Sequence, residues 1–271
     1  MQTLLDICNA WGEERGMEFC GDKSGFMAFG KERKEEFRLS VGDVEVGRVK
    51  EYEYLGVCLS ELDDYMAAMK NKIIKKTARV KGIIKHTGLW GYSRYEVVRI
   101  LWKMVAVPGA TFANEVLTLG RDTQKQLEHF QDEVGRWAIG ANRFTAGEVV
   151  QGDLGWSSFE AREAKSKINF FGRIKFMNED RVVKIIFNYL RNWVLRETNW
   201  IRRVRELFYK FFRGVELGDV LDFKTWKATT KEVVEEVETE MWHKRMEAKT
   251  STALYRIGKD KISWEDYHEG D

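Results

Sequence analysis

The sequence predicts an α+β chain in which a small antiparallel β unit is followed by a mostly helical remainder. Runs of β-branched and aromatic residues bounded by turn residues, which are typical of short strands, are confined to residues 15–60. Beyond residue 60, apolar residues recur at the three- and four-residue spacing of amphipathic helices. The only proline is Pro108, so few positions interrupt a helix. A chain of 271 residues is long enough for two or more domains with real cores.

Composition excludes several classes of protein. The chain is 44% hydrophobic and 32% charged with a net charge of +2, so only the distribution of charge can indicate a nucleic-acid partner. No apolar run is long enough to span a membrane, and the first residues lack a basic leader. Cys8, Cys20 and Cys58 are too widely spaced for a disulfide framework or a zinc site. We therefore expect an intracellular protein of the nucleus or cytoplasm, without membrane contact.

The first 60 residues predict a helix followed by strands. The helix covers residues 2–14 and ends at Gly16, which is typical of a C-terminal cap. The turn residues then separate short β-rich runs. We expect strands at 17–20 and 26–29 around a tight loop, a hairpin at 41–43, and a further β-rich run at 49–59.

A long basic helix is predicted from Glu61 to about His86, with Ser60 as its N-cap and Asp63 as the capping-box acid. No acid occurs between Asp64 and Glu96, which is the strongest charge asymmetry in the chain. Phosphate contacts from Lys and Arg supply most non-specific affinity for nucleic acid, although a solvated helix face is the ordinary alternative. The candidate contacts on one side of the apolar stripe are Lys72, Lys75, Lys76 and Arg79.

Further helices follow, with Ser93 and Ser158 as N-caps. We expect a loop-like segment at residues 140–155, with at most one turn of helix at 145–150, and a half-ordered tail at residues 251–271. An aromatic and basic stretch at 200–213 is a weaker candidate for nucleic-acid binding, because helical packing explains its aromatics. The four histidines lack the spacing of metal ligands, and no metal site is predicted.

Several short motifs occur in a particular order along the chain. They are Trp11, Gly16-Met17, Cys20-Gly21-Asp22-Lys23-Ser24, Phe29, Tyr54-Leu55-Gly56, Trp137 to Gly140 and Leu154-Gly155-Trp156. This order resembles the reverse transcriptases of non-LTR (LINE-like) retrotransposons, from just after their catalytic aspartate pair onward. Cys20 stands where the family has Asn, and Ser24 stands where it has Thr. The resemblance spans most of the chain, and the order of the motifs carries more weight than any one of them.

The resemblance implies a division into three parts: a palm remnant at residues 1–60, a helical thumb at 61–140 and a helical connector at 141–271. It implies that Lys23 lies in the polymerase loop that approaches the incoming triphosphate. It also implies that Tyr54, Leu55 and Gly56 lie in the hairpin that grips the primer end. A glycine in a strand often marks close approach by a ligand, and a β-bulge is the alternative here. For Lys23 the alternative is a solvated loop lysine.

The implied function is the C-terminal portion of an RNA-directed DNA polymerase that binds template–primer, as RNA–DNA or DNA duplex. The catalytic aspartates lie upstream in the family, and Asp63-Asp64 is interpreted as helix capping. We therefore expect no cofactor in this chain and no polymerase activity from it alone. Mg²⁺ and deoxynucleoside triphosphate belong to the complete family protein. The alternatives are a helical protein–protein interaction or scaffold protein, acting through residues 227–249, and a complete enzyme whose site has no recognisable motif.

Overall fold

Helices make up 65% of the structure and strands 8%, which confirms the predicted α+β class. The computed structural model describes residues 1–29, 38–61, 65–86, 93–192, 198–213 and 222–264. Contacts divide the chain into an N-terminal unit, Met1–Lys72, and a helical unit, Ile73–Asp271. The boundaries proposed at residues 60 and 140 stay a prediction.

The N-terminal unit contains one helix, a 3₁₀ turn, five short strands and the start of a long helix. In chain order these are α1 (Gln2–Glu13), the turn Gly21–Lys23, β1 (Gly25–Phe26), β2 (Leu39–Val41), β3 (Val44–Arg48), β4 (Glu51–Tyr54), β5 (Val57–Ser60) and α2 (Tyr65–His86).

The strands form a three-stranded sheet in the order β1-β3-β2 and a separate β4–β5 hairpin. Pairing is antiparallel except between β1 and β3, which are parallel, so the unit is mostly antiparallel, as predicted. No strand forms at 17–20, and the strand expected at 26–29 is reduced to β1. Ser60 belongs to β5, where it pairs with Glu51, so it does not cap a helix. The predicted acids Asp63 and Asp64 lie outside the described residues.

Helix α1 covers one edge of the three-stranded sheet. The side-chain amide of Gln2 donates to the Ser40 carbonyl (2.8 Å) and accepts from the Ser40 amide (3.1 Å), so it replaces a missing strand neighbour. The small core below contains Leu39, Val41 and Val46, against which Leu5 and Phe26 pack. The other side of α1 carries apolar residues that remain exposed: Leu4, Ile7 and Trp11.

The helical unit continues α2 and adds nine further helices within the described residues. They are α3 (Arg94–Leu101), α4 (Val107–Ala110), α5 (Arg121–Ala138), α6 (Gly147–Leu154), α7 (Phe159–Lys175), α8 (Val182–Asn192), α9 (Asn199–Phe212), α10 (Phe223–Glu247) and α11 (Tyr255–Gly258). A π-helical turn, Trp102–Ala106, joins α3 to α4. Because Pro108 has no amide hydrogen and its ring crowds the preceding turn, the wider π turn accommodates it.

Capping explains where two of these helices begin. The hydroxyls of Ser93 and Ser158 accept hydrogen bonds from the amides of Glu96 and Ala161, so both predicted N-caps are confirmed. In the segment 140–155, where at most one helical turn is predicted, the structure has the longer helix α6, which ends at Gly155 in the left-handed conformation. The described part of the tail also differs from expectation, because it forms a 3₁₀ turn and α11 and stacks Trp264 on Tyr95, with ring centroids 4.4 Å apart.

The main core lies where α7, α9 and α10 pack together, and it depends on a close approach between α7 and α10. The Trp226 indole on α10 lies directly over Gly172 on α7. Its N–H donates to the Ile168 carbonyl (3.0 Å), and its ring is 2% exposed. A methyl group at position 172 would overlap the indole, so glycine is required there by contact with the neighbouring helix.

Replacing Gly172 by Ala is expected to lower the free energy of unfolding by about 1–3 kcal/mol, because overpacking outweighs the gain in helix propensity. Chemical denaturation followed by circular dichroism measures the change.

Gly82→Ala is the matched control, since Gly82 lies in α2 with open space at its Cβ position. This variant should be more stable than the original chain by about 0.5–1 kcal/mol. If both substitutions changed the free energy of unfolding in the same direction, close packing would not be the reason for glycine at position 172.

Candidate nucleic-acid interface

The predicted loop lysine and the predicted hairpin are neighbours in the N-terminal unit. Lys23 ends the 3₁₀ turn Gly21–Lys23 and is exposed. The Tyr52 hydroxyl, on β4, donates to the Lys23 carbonyl at 3.0 Å. The Ser24 hydroxyl closes the loop by donating to the Cys20 carbonyl at 2.8 Å. The hydrogen bond from Tyr52 therefore holds the Lys23 loop next to the β4–β5 hairpin, although Lys23 and Tyr52 are 29 residues apart in the chain.

Leu55 and Gly56 form the turn of the β4–β5 hairpin. Tyr54 pairs with Val57, and the two residues between them have φ values of +48° and +85°. Two positive φ values in a two-residue loop are typical of a type I′ turn. The interpretation of Tyr54-Leu55-Gly56 as a strand, with a bulge as the alternative, is therefore wrong beyond Tyr54. The tip is apolar, because Tyr54 is 60% exposed and Leu55 is 78% exposed.

Lys72 fixes the hairpin from α2. Its ammonium donates to the Gly56 carbonyl (2.8 Å) and pairs with the Glu53 carboxylate (2.5 Å). The Cys58 amide also contacts the sulfur of Met69 at 3.1 Å. Lys72 was predicted to bind nucleic acid, but its ammonium is occupied by the hairpin. Its evident role is to position the turn.

In the helical unit, Lys75, Lys76 and Arg79 are exposed on α2. The opposite side of this helix is buried through Ile73, Thr77 and Ile84, which fixes the direction of the basic face. No carboxylate within the described ranges forms an ion pair with these three cations. Lys81, by contrast, pairs with Glu133 and lies 4.4 Å from the centre of the Phe130 ring, so it belongs to the packing of α2.

In the second basic candidate, on α9, three cations are paired with carboxylates within the fold. Arg203 binds the buried Glu163 at 2.8 Å, and Lys210 binds Glu160 at 2.6 Å. Arg213 pairs with Glu240. The Trp200 indole donates to the Glu115 carbonyl at 2.7 Å. These contacts favour a structural role for the stretch.

Sequence reasoning missed an open polar cavity of about 670 Å³ in the helical unit, lined by residues of α5, α6, α7, α9 and α10. Glu128 lies on its wall, and burial raises the pKa of this carboxyl to about 7, against the opposing effects of the Phe159 amide and the Arg162 guanidinium. Burial likewise lowers the pKa of Arg162 to about 10. The i, i+4 pair Glu128 and Asp132 was visible in the sequence, but such pairs are common on exposed helix faces.

The part of the chain that the structure describes contains no set of side chains suited to bind a metal ion. No group of three or more His, Cys, Asp or Glu side chains there is placed to hold an ion. The three cysteines are free thiols. These residues therefore offer no Mg²⁺ site of their own.

Comparison with known proteins adds no family assignment. No family model, curated protein or solved structure matches the chain. Among the helices of the described residues, none combines the length and the apolar character needed to cross a membrane.

Replacing Lys72 by Met should loosen the β4–β5 hairpin by about 1 kcal/mol, because a partly exposed ion pair and a hydrogen bond are lost together. Amide hydrogen exchange at Val57 and Cys58 should accelerate by about fivefold. Lys75→Met is the control and should leave these amides unchanged. Equal exchange in both variants would contradict the positioning role of Lys72.

Replacing Glu128 by Gln should change how stability depends on pH. Because the folded state raises this pKa from 4.5 to about 7, it holds a proton that the unfolded chain releases, and stability falls as pH rises across that range. Glutamine does not titrate, so it removes this dependence of stability on pH, and its side-chain oxygen still accepts a hydrogen bond from the Phe159 amide. The variant should match the original chain below pH 4.5 and exceed it by up to about 3 kcal/mol above pH 7.

Unfolding free energies measured across this pH range test the expectation. Glu232→Gln, at an exposed carboxylate on α10, is the control for the same chemical change. Parallel pH profiles for Glu128→Gln and the original chain would show that Glu128 titrates normally.

Proposed function

We propose that this chain is the post-catalytic portion of a LINE-like RNA-directed DNA polymerase and that it binds template–primer duplex. The observation that carries the proposal is the association of the Lys23 loop with the β4–β5 hairpin through Tyr52. These are the two motifs that the resemblance assigns to the triphosphate and to the primer end. Their proximity in the fold supports a common role.

Each surface has a distinct chemical role in this proposal. Lys23 offers an exposed ammonium on a short anchored loop, which suits the negative charge that develops on the leaving pyrophosphate. The apolar tip at Tyr54 and Leu55 offers a surface on which a primer base or sugar can rest. Lys72 holds that tip in place. Separately, Lys75, Lys76 and Arg79 offer charges for backbone phosphates.

The metal-binding aspartates belong, in this proposal, to a further protein body against which the N-terminal unit packs. Leu4, Ile7 and Trp11 on α1 are each at least half exposed, and they form one apolar face of that helix. Exposed apolar faces of this kind mark interaction surfaces. Magnesium and deoxynucleoside triphosphate would be bound only with that body present, and the setting would be the nucleus or cytoplasm.

The alternative, a scaffold protein acting through residues 227–249, is less well supported. Helix α10 places Val234, Trp242 and Met246 in the core of its own unit, and each is fully buried. The charged side of α10 is therefore the outer side of a core helix.

Neutralising the basic face of α2 should weaken duplex binding. For the triple variant Lys75→Gln, Lys76→Gln and Arg79→Gln, we expect roughly tenfold or greater loss of affinity for a labelled RNA–DNA duplex at low salt. The slope of log affinity against log salt should fall in magnitude by up to about 3, because up to three phosphate contacts are lost. Fluorescence anisotropy over a salt series measures both quantities.

The matched control removes three cations that the fold already neutralises: Lys165, Lys210 and Arg213, which pair with Glu235, Glu160 and Glu240. Replacing all three by Gln gives the same change in net charge and should alter the slope little. Equal losses for both triple variants, or no duplex affinity at moderate salt, would refute the α2 interface. Magnesium-dependent primer extension by the isolated chain would refute the proposal that catalysis requires another body.

A further inference from the structure

Helix α8, in the helical unit, exposes an apolar stripe. Val182 is 67% exposed, Ile185 53%, Ile186 52% and Tyr189 63%. These residues stand at positions i, i+3, i+4 and i+7, which places them on one face of the helix. Val183 borders the stripe and is 46% exposed. The largest contiguous apolar patch on a protein surface often marks an interaction site.

The orientation of α8 is fixed by its opposite side. Lys184 is buried, and its ammonium donates to the carbonyls of Ile174 (3.1 Å) and Lys175 (2.9 Å) at the end of α7. Phe187 packs edge-on against Phe171 at 5.7 Å between ring centroids. A rotation that buried the stripe would expose Phe187 and break the Lys184 contacts. The outward stripe is therefore a fixed property of the unit.

We propose that the α8 stripe is the interface of a symmetric dimer between two copies of this chain. The stripe is symmetric about a point between Ile185 and Ile186. Antiparallel packing about a two-fold axis through this point places each isoleucine pair on its counterpart. It also places the small Val182 opposite the large Tyr189 of the second copy, so the ends of the two stripes are complementary in size.

The exposed area is sufficient for a weak dimer. Side chains exposed to these fractions present about 500 Å² of apolar surface, so two copies would bury on the order of 1,000 Å², the lower limit for a specific interface. No charged side chain lies within the stripe, so pairing desolvates no charge there. An interface in which a surface meets its own copy is the commonest arrangement in homo-oligomers. Interfaces of this size are typical of weak or transient association.

Sedimentation velocity across a concentration series tests the dimer. Ile186→Glu should weaken self-association by about tenfold or more, because it introduces two like charges next to the axis. Ile257→Glu is the matched control, since Ile257 is 83% exposed on α11 of the same unit. Both positions are exposed, so both variants should keep the stability of the original chain. A chain that stays monomeric, or equal effects of the two variants, would overturn the proposal.

Cysteine cross-linking tests the antiparallel register, in a background with Cys8, Cys20 and Cys58 replaced by Ser. Under mild oxidation, Ile186→Cys should cross-link with its own copy. Val182→Cys should cross-link only when mixed with Tyr189→Cys. A disulfide between two Val182→Cys chains would indicate parallel packing and overturn the antiparallel dimer. Binding of the monomer to vesicles of anionic lipid that is lost in Ile186→Glu would assign the stripe to a membrane surface instead.

Discussion

The contact between the Trp226 indole and the backbone of Gly172 is the constraint on which the helical unit depends. It sets the separation of α7 and α10, and the rings of Phe171, Phe176 and Phe208 surround the same indole, with centroids 6.0–6.1 Å away. Because the indole also donates to the Ile168 carbonyl, a single side chain fixes both the distance between the helices and their relative rotation. Helix α9 contacts both α7 and α10, so its packing depends on their separation.

A network of buried charges joins further elements to the α7–α10 pair. Lys167 is fully buried, yet its ammonium donates to the Asn114 carbonyl at 2.6 Å and lies 3.6 Å from the Glu163 carboxylate. Glu163 is bound from the other side by Arg203. Removing such groups from water is costly, and their attraction repays the cost only when the geometry is good. The network therefore ties α7 to α9 and to the loop before α5 in one arrangement.

The sequence could predict the elements that are determined locally. The spacing of apolar residues and the serine caps identified α3 and α7, because each signal lies within a few residues of its consequence. For α6 the sequence indicated at most one helical turn, because the helix is short and glycine-bounded and is stabilised by packing on α5. The candidate site shows the same limit. Lys23 could be selected from its motif, but the engagement of Lys72 by Gly56 joins residues 16 positions apart and required the fold. Likewise, the spacing of Val182, Ile185, Ile186 and Tyr189 is that of a helix face, but it does not reveal that this side of α8 faces outward.

The leucine at the tip of the hairpin has an evolutionary implication. Asparagine or glycine would occupy the left-handed position of Leu55 at lower conformational cost, since a bulky side chain is disfavoured there. At position 55 a conformational cost therefore coincides with a protruding apolar side chain. If that side chain has a use, related chains should keep a large apolar residue there in spite of the cost, and if it has none they should carry glycine or asparagine.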